Sequence, residues 1–404
     1  MIERTAEHPL RFASAPERNV RIARPLRMIA RIRAVDEGLL DELGRRMFTR
    51  DEVGARLVAA MRRDAPDRVT IAQIHRALDG AVDGAPAALR EFLAVVEDVP
   101  AWVEPELLER GARAYRRLGH SRDDVLLQLS LIGGYRFAGP ADLLVATGGL
   151  TGSTAMRRLA ETQTWTTAVS APGGMRRDGA GWRLTVHVRV MHALVNARFE
   201  AAGRWDVERL GLPINQSDQA ATLGLFNSTL LIGVRALGRL VTPADSRAIM
   251  HLWKYVGWLM GVDADWLFDT EREQNTFNYH VLLAQGGPTP AGAALATALV
   301  DGTLGLDRGR LRGPRGRYDR LRTLSMLRWF LRREGLRDLG LPVTPAWAVP
   351  PAAVANLVAS GLVARTRPGR RWLERVSDRR TQRGSRLRFG GGPPRIGALP
   401  SAAP

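Results

Sequence analysis

The chain has 404 residues, 45% of them hydrophobic, and a formal net charge of +18, enough for two or three ordinary domains or one large helical one. Its basic residues are arginines apart from Lys254, and they are spread along the chain with a concentration near the C-terminus. With abundant Ala and Gly, that is the mark of GC-rich coding, so no specific nucleic-acid partner is expected. Cysteine is absent, which excludes disulfides, thiolate metal sites, thiol nucleophiles and haem attached through Cys-x-x-Cys-His.

Residues 1–35 are Arg-rich, aperiodic and punctuated by Pro9, Pro16 and Pro25, and they read as an extended basic arm. The arm has no apolar core or small-residue cleavage site of an export signal. From residue 36 to 365 the pattern is helical. Apolar residues recur at three and four in Asp36–Phe48, Asp51–Met61, Ile71–Leu78 and Ala87–Val96. Pro105, with Glu104 and Glu106 beside it and Gly119 downstream, frames another helix. Further helices are expected at about Asp123–Gly133, Thr154–Ser170, Trp182–Ala201, Ser217–Leu240 and Pro243–Met260, the last started by Thr242 and Pro243. A strand over Trp182–Val188 is conceivable from its β-branched residues, but helical spacing persists through Phe199. Residues 366–404 turn polar and basic and read as a disordered tail.

The fold class expected is therefore all-α, with one multi-helix core. No stretch approaches the roughly 18–20 uncharged apolar residues of a membrane span. The best candidate, Ala220–Val241, is interrupted by Arg235 and Arg239. The default compartment is the cytoplasm.

Seven histidines are the natural candidates for chemistry: His8, His75, His120, His187, His192, His251 and His280. None forms the His-Glu-x-x-His of a zinc hydrolase. His187 and His192 are five residues apart, about 140° round a helix, so they do not share one small ion. A single imidazole suffices as axial ligand to a haem. Val188, Met191 and Val195 lie on an apolar stripe beside His192, and Arg189, about one turn earlier, is placed to pair with a haem propionate. The alternative for His192 is a core histidine satisfied by a backbone carbonyl.

Five segments occur in order: VPAWVEPELLERGA, GYRFAGPADLLVATGGLTGSTAMRRLAETQTW, HVRVMHALVNARF, WDVERLGLPINQSDQAATLGLF and HLWKYVGWLMGVDADWL. Together, over roughly residues 48–283, they resemble the haem-dependent oxygenase family of latex-clearing proteins and MpaB-type enzymes. The resemblance implies a globin-like helical arrangement around a b-type haem. Its iron ligand would fall on His192, the Arg-x-x-x-Thr of the preceding helix on Arg158 and Thr162, and the distal acid on Asp142. The other readings are a helix-start role for Asp142, an ordinary ion pair for Arg158 and a hydroxyl bonded to its own preceding turn for Thr162.

The function implied is dioxygen activation on an apolar or unsaturated substrate, with Asp142 as proton acceptor or donor. A non-catalytic haem-binding or interaction protein on the same scaffold is the alternative. Two residues depart from the rubber-cleaving branch, which splits a carbon–carbon double bond with both oxygen atoms: Asp142 stands for a glutamate and Glu161 for a lysine. With no export signal recognised, these point to a small substrate rather than polyisoprene.

Overall fold

The computed structural model describes residues 7–62, 67–148, 152–306, 312–388, 397 and 399. Among these residues the regular structure is helical, with no strand. Helices α1 (Pro16–Ile29), α2 (Glu37–Arg45), α3 (Glu52–Arg62), α4 (Ile71–Leu78), α5 (Ala87–Glu97), α6 (Pro105–Arg117) and α7 (His120–Val125) lead into a π-helical segment, Leu126–Ile132. Then follow α8 (Pro140–Ala146), α9 (Gly152–Val169), α10 (Ala180–Ala202), α11 (Val207–Leu210), α12 (Gln216–Phe226) and α13 (Ser228–Ala236). The last are α14 (Pro243–Met260), α15 (Glu271–Ala284), α16 (Pro290–Gly302), α17 (Arg312–Asp338), α18 (Val349–Gly361) and α19 (Arg367–Arg388).

Local chemistry sets most of these ends. Thr242 accepts the Asp245 amide at 3.1 Å with Pro243 in the first turn of α14. Thr70 and Gln73 bond reciprocally at the start of α4. Gly203 and Gly261 take φ of +58° and +84° to close α10 and α14.

Helix α10 runs through the middle, packed against α3, α9 and α14, while α14 lies along α6. Trp182, Trp253 and Tyr115 are all but fully buried there. A smaller apolar cluster around Ile132, Leu299, Leu324 and Leu336 extends the core toward α16 and α17, with Leu129 and Phe330 packed against both.

Three expectations are corrected. The helix expected over Ser217–Leu240 breaks at Asn227, whose backbone is non-helical; its side-chain Oδ1 accepts the Ser228 amide and its Nδ2 donates to Gln274 Oε1. Asparagine favours such local bonding over continuing a helix. The arm is not extended, because α1 forms within it and packs on α15. Its anchors are polar. Asn19 donates to the Leu283 and Gln285 carbonyls, and buried Arg11 bonds the Leu210 and Ala138 carbonyls and Asp218. The tail is likewise helical over Arg367–Arg388 and packs on α6 and α9, burying Ser377 and Thr381. Of the expected disordered stretch beyond residue 388, only Gly397 and Leu399 are among the described residues.

Candidate functional site

Most histidines are committed to the fold. His251 Nε2 accepts the Glu104 amide at 3.0 Å, and His280 Nε2 the Asp36 amide at 2.9 Å. His8 lies 2.8 Å from the Asp41 carboxylate. His120 is exposed, 3.6 Å from Asp124. His75 and His187 face each other with ring centroids 5.7 Å apart, and His187 Nε2 stands 3.1 Å from the Gly397 carbonyl.

His192 is different. It sits mid-way along α10, its residue half-buried but its Nδ1 fully covered and without a hydrogen-bond partner. Burial pushes its pKa down to about 4, against the opposing pull of the Gln219 carboxamide and of Asp51. The imidazole is therefore neutral at neutral pH, the form that ligates metals. A neutral, inward-facing imidazole with an unused ring nitrogen fits an axial ligand. Among the described residues no group of three or more His, Asp or Glu side chains is placed to hold a metal ion.

The surroundings of His192 are uneven. On one side a cavity of about 110 Å³ opens toward α3, lined in part by Asp51, Val58, Asn196 and Gln219. On the other, Val188, Met191 and Val195 remain half-buried, although Val186, Val190 and Leu194 on the same helix are buried. Leu159 on α9, the helix packed on α10, is half-buried as well. The π-helical turn Leu126–Ile132, a rare geometry frequent at functional sites, has Leu127, Leu129 and Leu131 packed on the second apolar cluster.

Arg158 and Thr162 lie on α9, which is joined to α10 by Trp165 Nε1 donating to Thr185 Oγ1 at 2.9 Å. The two helices follow one another across a short connection and pack together. Seven residues back from Trp165 and seven on from Thr185, about 10 Å along each axis, stand Arg158 and His192. Arg158 Nη2 bonds Thr147 Oγ1 at 2.9 Å and the Thr147 carbonyl at 3.3 Å. Burial lowers its pKa, with Glu161 and Tyr135 pulling the other way. Asp142 stands in the first turn of α8, its Oδ2 accepting the Gly139 amide at 3.0 Å. Thus Asp142 has the helix-start bond, and Arg158 ties α9 to the end of α8.

Thr162 is exposed, its hydroxyl donating to the Arg158 carbonyl one turn back at 3.1 Å. Glu161 beside it is half-buried, and burial raises its pKa against Arg157 and Arg158. Residues 149–151, within one of the quoted segments, lie outside the described residues.

Arg189 departs from expectation. Its Nε and Nη2 each bond one oxygen of Asp51 at 2.7 Å, and Nη1 reaches the Leu259 carbonyl at 3.4 Å. Three residues before His192, it is turned about 60° away and is spent within the fold. Gln219, the polar neighbour of His192, was not singled out from the sequence, although it lies in the segment INQSDQAATLG; no spacing ties it to α10.

A helical scaffold holding a neutral imidazole with one covered, unpartnered nitrogen, beside half-buried apolar residues, is the class of site the geometry defines. The chain is similar to a structure of latex-clearing protein in the closed state, with a TM-score of 0.58 and 21% identity over 83% of this chain and 91% of that one. It is also 25% identical over 249 residues to the rubber oxygenase of Streptomyces sp. (strain K30), covering 59% of this chain and 58% of that enzyme's length. The family described as ER-bound oxygenase mpaB/B'/Rubber oxygenase, catalytic domain, matches residues 116–360, and the chain belongs to it.

Proposed function

We propose that this protein is a haem b-dependent oxygenase that uses dioxygen on a small apolar or unsaturated substrate, with His192 as the protein ligand to iron. The observation that carries the reading is the covered, unpartnered Nδ1 of a neutral His192, beside half-buried apolar residues of α10, in a member of this family. Haem bound there would supply an iron that activates dioxygen.

The chain's own residues do the rest. His192 would hold and orient the group from α10. Val188, Met191 and Val195 offer an apolar wall that excludes water and suits an apolar substrate. Asp142, its Oδ2 held by the Gly139 amide, offers Oδ1 to a substrate proton. Arg158 fixes the α8–α9 corner through Thr147 and supplies positive charge beside it. We read polyisoprene as a poor substrate, because Asp142 is one methylene shorter than the glutamate of the rubber-cleaving pattern and a misplacement of about 1 Å can cost on the order of a hundredfold in rate.

The test is an absorption spectrum of protein produced with haem supplied. A Soret band that is lost in His192→Ala and kept in His187→Ala supports the reading. Its absence from the wild type, or its loss only in His187→Ala, sinks the ligand assignment. Oxygen uptake with an unsaturated substrate then separates an oxygenase from a haem-binding protein without turnover.

A further inference from the structure

We infer that the outer face formed by α17 and α18, in the strongly basic C-terminal part of the chain, docks on an anionic lipid bilayer. The first observation is apolar. Helix α18 carries no charged residue, and of its side chains only Val349 is buried. Its inner side is fastened by Asn356, which donates to the Leu237 carbonyl and accepts from Ser121, and by Ser360, which accepts the Leu240 amide. Its outer side shows Val354, Leu357, Val358 and, just beyond its end, Leu362, spaced along one helical face, with Leu362 62% exposed.

Aromatic rings extend this face. Tyr318 and Trp329 lie three turns apart on one side of α17, and both are about half exposed. Between them the chain entering α18 crosses over, Ala348 donating to Ser325 Oγ at 2.9 Å. Trp347, also exposed, packs 5.8 Å from Tyr318. These seven exposed apolar side chains lie on two packed helices and their connection, and apolar surface of this kind marks an interaction site.

The second observation is charge. Between Arg312 and Arg388 there are nineteen arginines against five carboxylates, so most of the surplus of +18 lies in this part of the chain. Arg317 and Arg333, which flank the aromatic residues of α17, are exposed. Tyrosine and tryptophan rings, aliphatic side chains and unpaired arginines on one surface are the composition that seats at the headgroup level of a membrane. Among the described residues no helix is long and apolar enough to cross it, so the contact is peripheral. A nucleic acid would use the arginines and leave the Val354–Leu362 stripe in water. A second copy would bring two strongly positive faces together. The anionic bilayer satisfies both observations.

The experiment is sedimentation of the full chain with vesicles of phosphatidylcholine alone and of phosphatidylcholine mixed with phosphatidylglycerol. Binding is expected only to the mixed vesicles and should weaken with salt. Leu357→Ser with Leu362→Ser should reduce it on the order of tenfold. Arg317→Glu with Arg333→Glu should reduce it on the order of thirtyfold or more. All four positions are exposed, so thermal melting should be unchanged, which keeps a folding defect distinguishable. Equal binding to neutral vesicles, no binding to either, or wild-type binding by the leucine variant overturns the inference. So does tight binding to duplex DNA that only the arginine variant loses, or a dimer in sedimentation equilibrium that the leucine variant abolishes.

Discussion

Two sides of α10 obey different rules. On one side the polar groups of the helix are paired. Arg189 and Asp51 form a nearly fully buried two-point ion pair, Asn196 exchanges bonds with the backbone of Ile214, and Val186 and Val190 have no exposed surface. Around His192 the helix leaves Nδ1 unpaired, beside a cavity that opens toward α3, and Val188, Met191 and Val195 half covered. Unpaired buried polar atoms and exposed apolar surface both cost stability. A fold that satisfies one side so completely and leaves the other open separates the part that holds the helix in place from the part that receives a ligand.

The largest expected effect tests the satisfied side. Asp51→Ala leaves the Arg189 guanidinium buried without its partner and should cost about 3–5 kcal/mol in denaturant unfolding. A loss under about 1 kcal/mol would mean that the pair is not what fixes α10.

Next comes a residue near the opposite end of the chain. Leu399 is only 5% exposed and belongs to the main core cluster, so Leu399→Ala should cost about 2 kcal/mol or more. An unchanged melting temperature would detach this segment from the core.

On the open side the effect should be small. His192→Ala removes a ring whose Nδ1 is unpartnered, so the apoprotein should change in stability by less than about 1 kcal/mol. The same variant should lose haem retention entirely. A strongly destabilised apoprotein would show that His192 is a structural residue of the core.

The smallest effect is in pH. Burial lowers the His187 pKa from its ordinary value of about 6.5, with the Gly397 carbonyl opposing. The unfolded chain therefore takes up a proton more readily, and stability present above about pH 6.5 is lost as pH falls toward the lowered value. His187→Gln should flatten that acid limb by a fraction of a kcal/mol. An identical pH profile in the variant would remove His187 from the account.

Much of the helical frame was legible before any coordinates. Ile71–Leu78 and Pro243–Met260 were bounded correctly because Thr70 and Thr242 are capping residues whose effect is local. The all-α class followed from sustained three-and-four spacing. What escaped was bonded over distance. Arg11 with Asp218 and Arg189 with Asp51 join positions 207 and 138 residues apart, and no local pattern announces either partner. Helices α1 and α19 were missed because their buried residues are Asn19 and Ala23 in one, Ser377 and Thr381 in the other, too few and too polar to give an apolar period. The position of His192 was legible from its stripe and the family resemblance. That its Nδ1 is covered and left without a partner is a property of the assembled fold.

The inward course of the chain near both ends bears on how the molecule can be handled. Phe12 is 2% exposed, and Gly397 lies against both His187 and Glu161. A purification tag or fluorophore joined near residue 399 would pull on a segment touching the α9–α10 pair, and one close before Phe12 would load the anchored arm. The turn after α4 is a gentler place. Gly80 and Gly84 adopt φ of +98° and +67° there, and a side chain built on either meets nothing within 4 Å. A label inserted between them should leave spectra and melting unchanged.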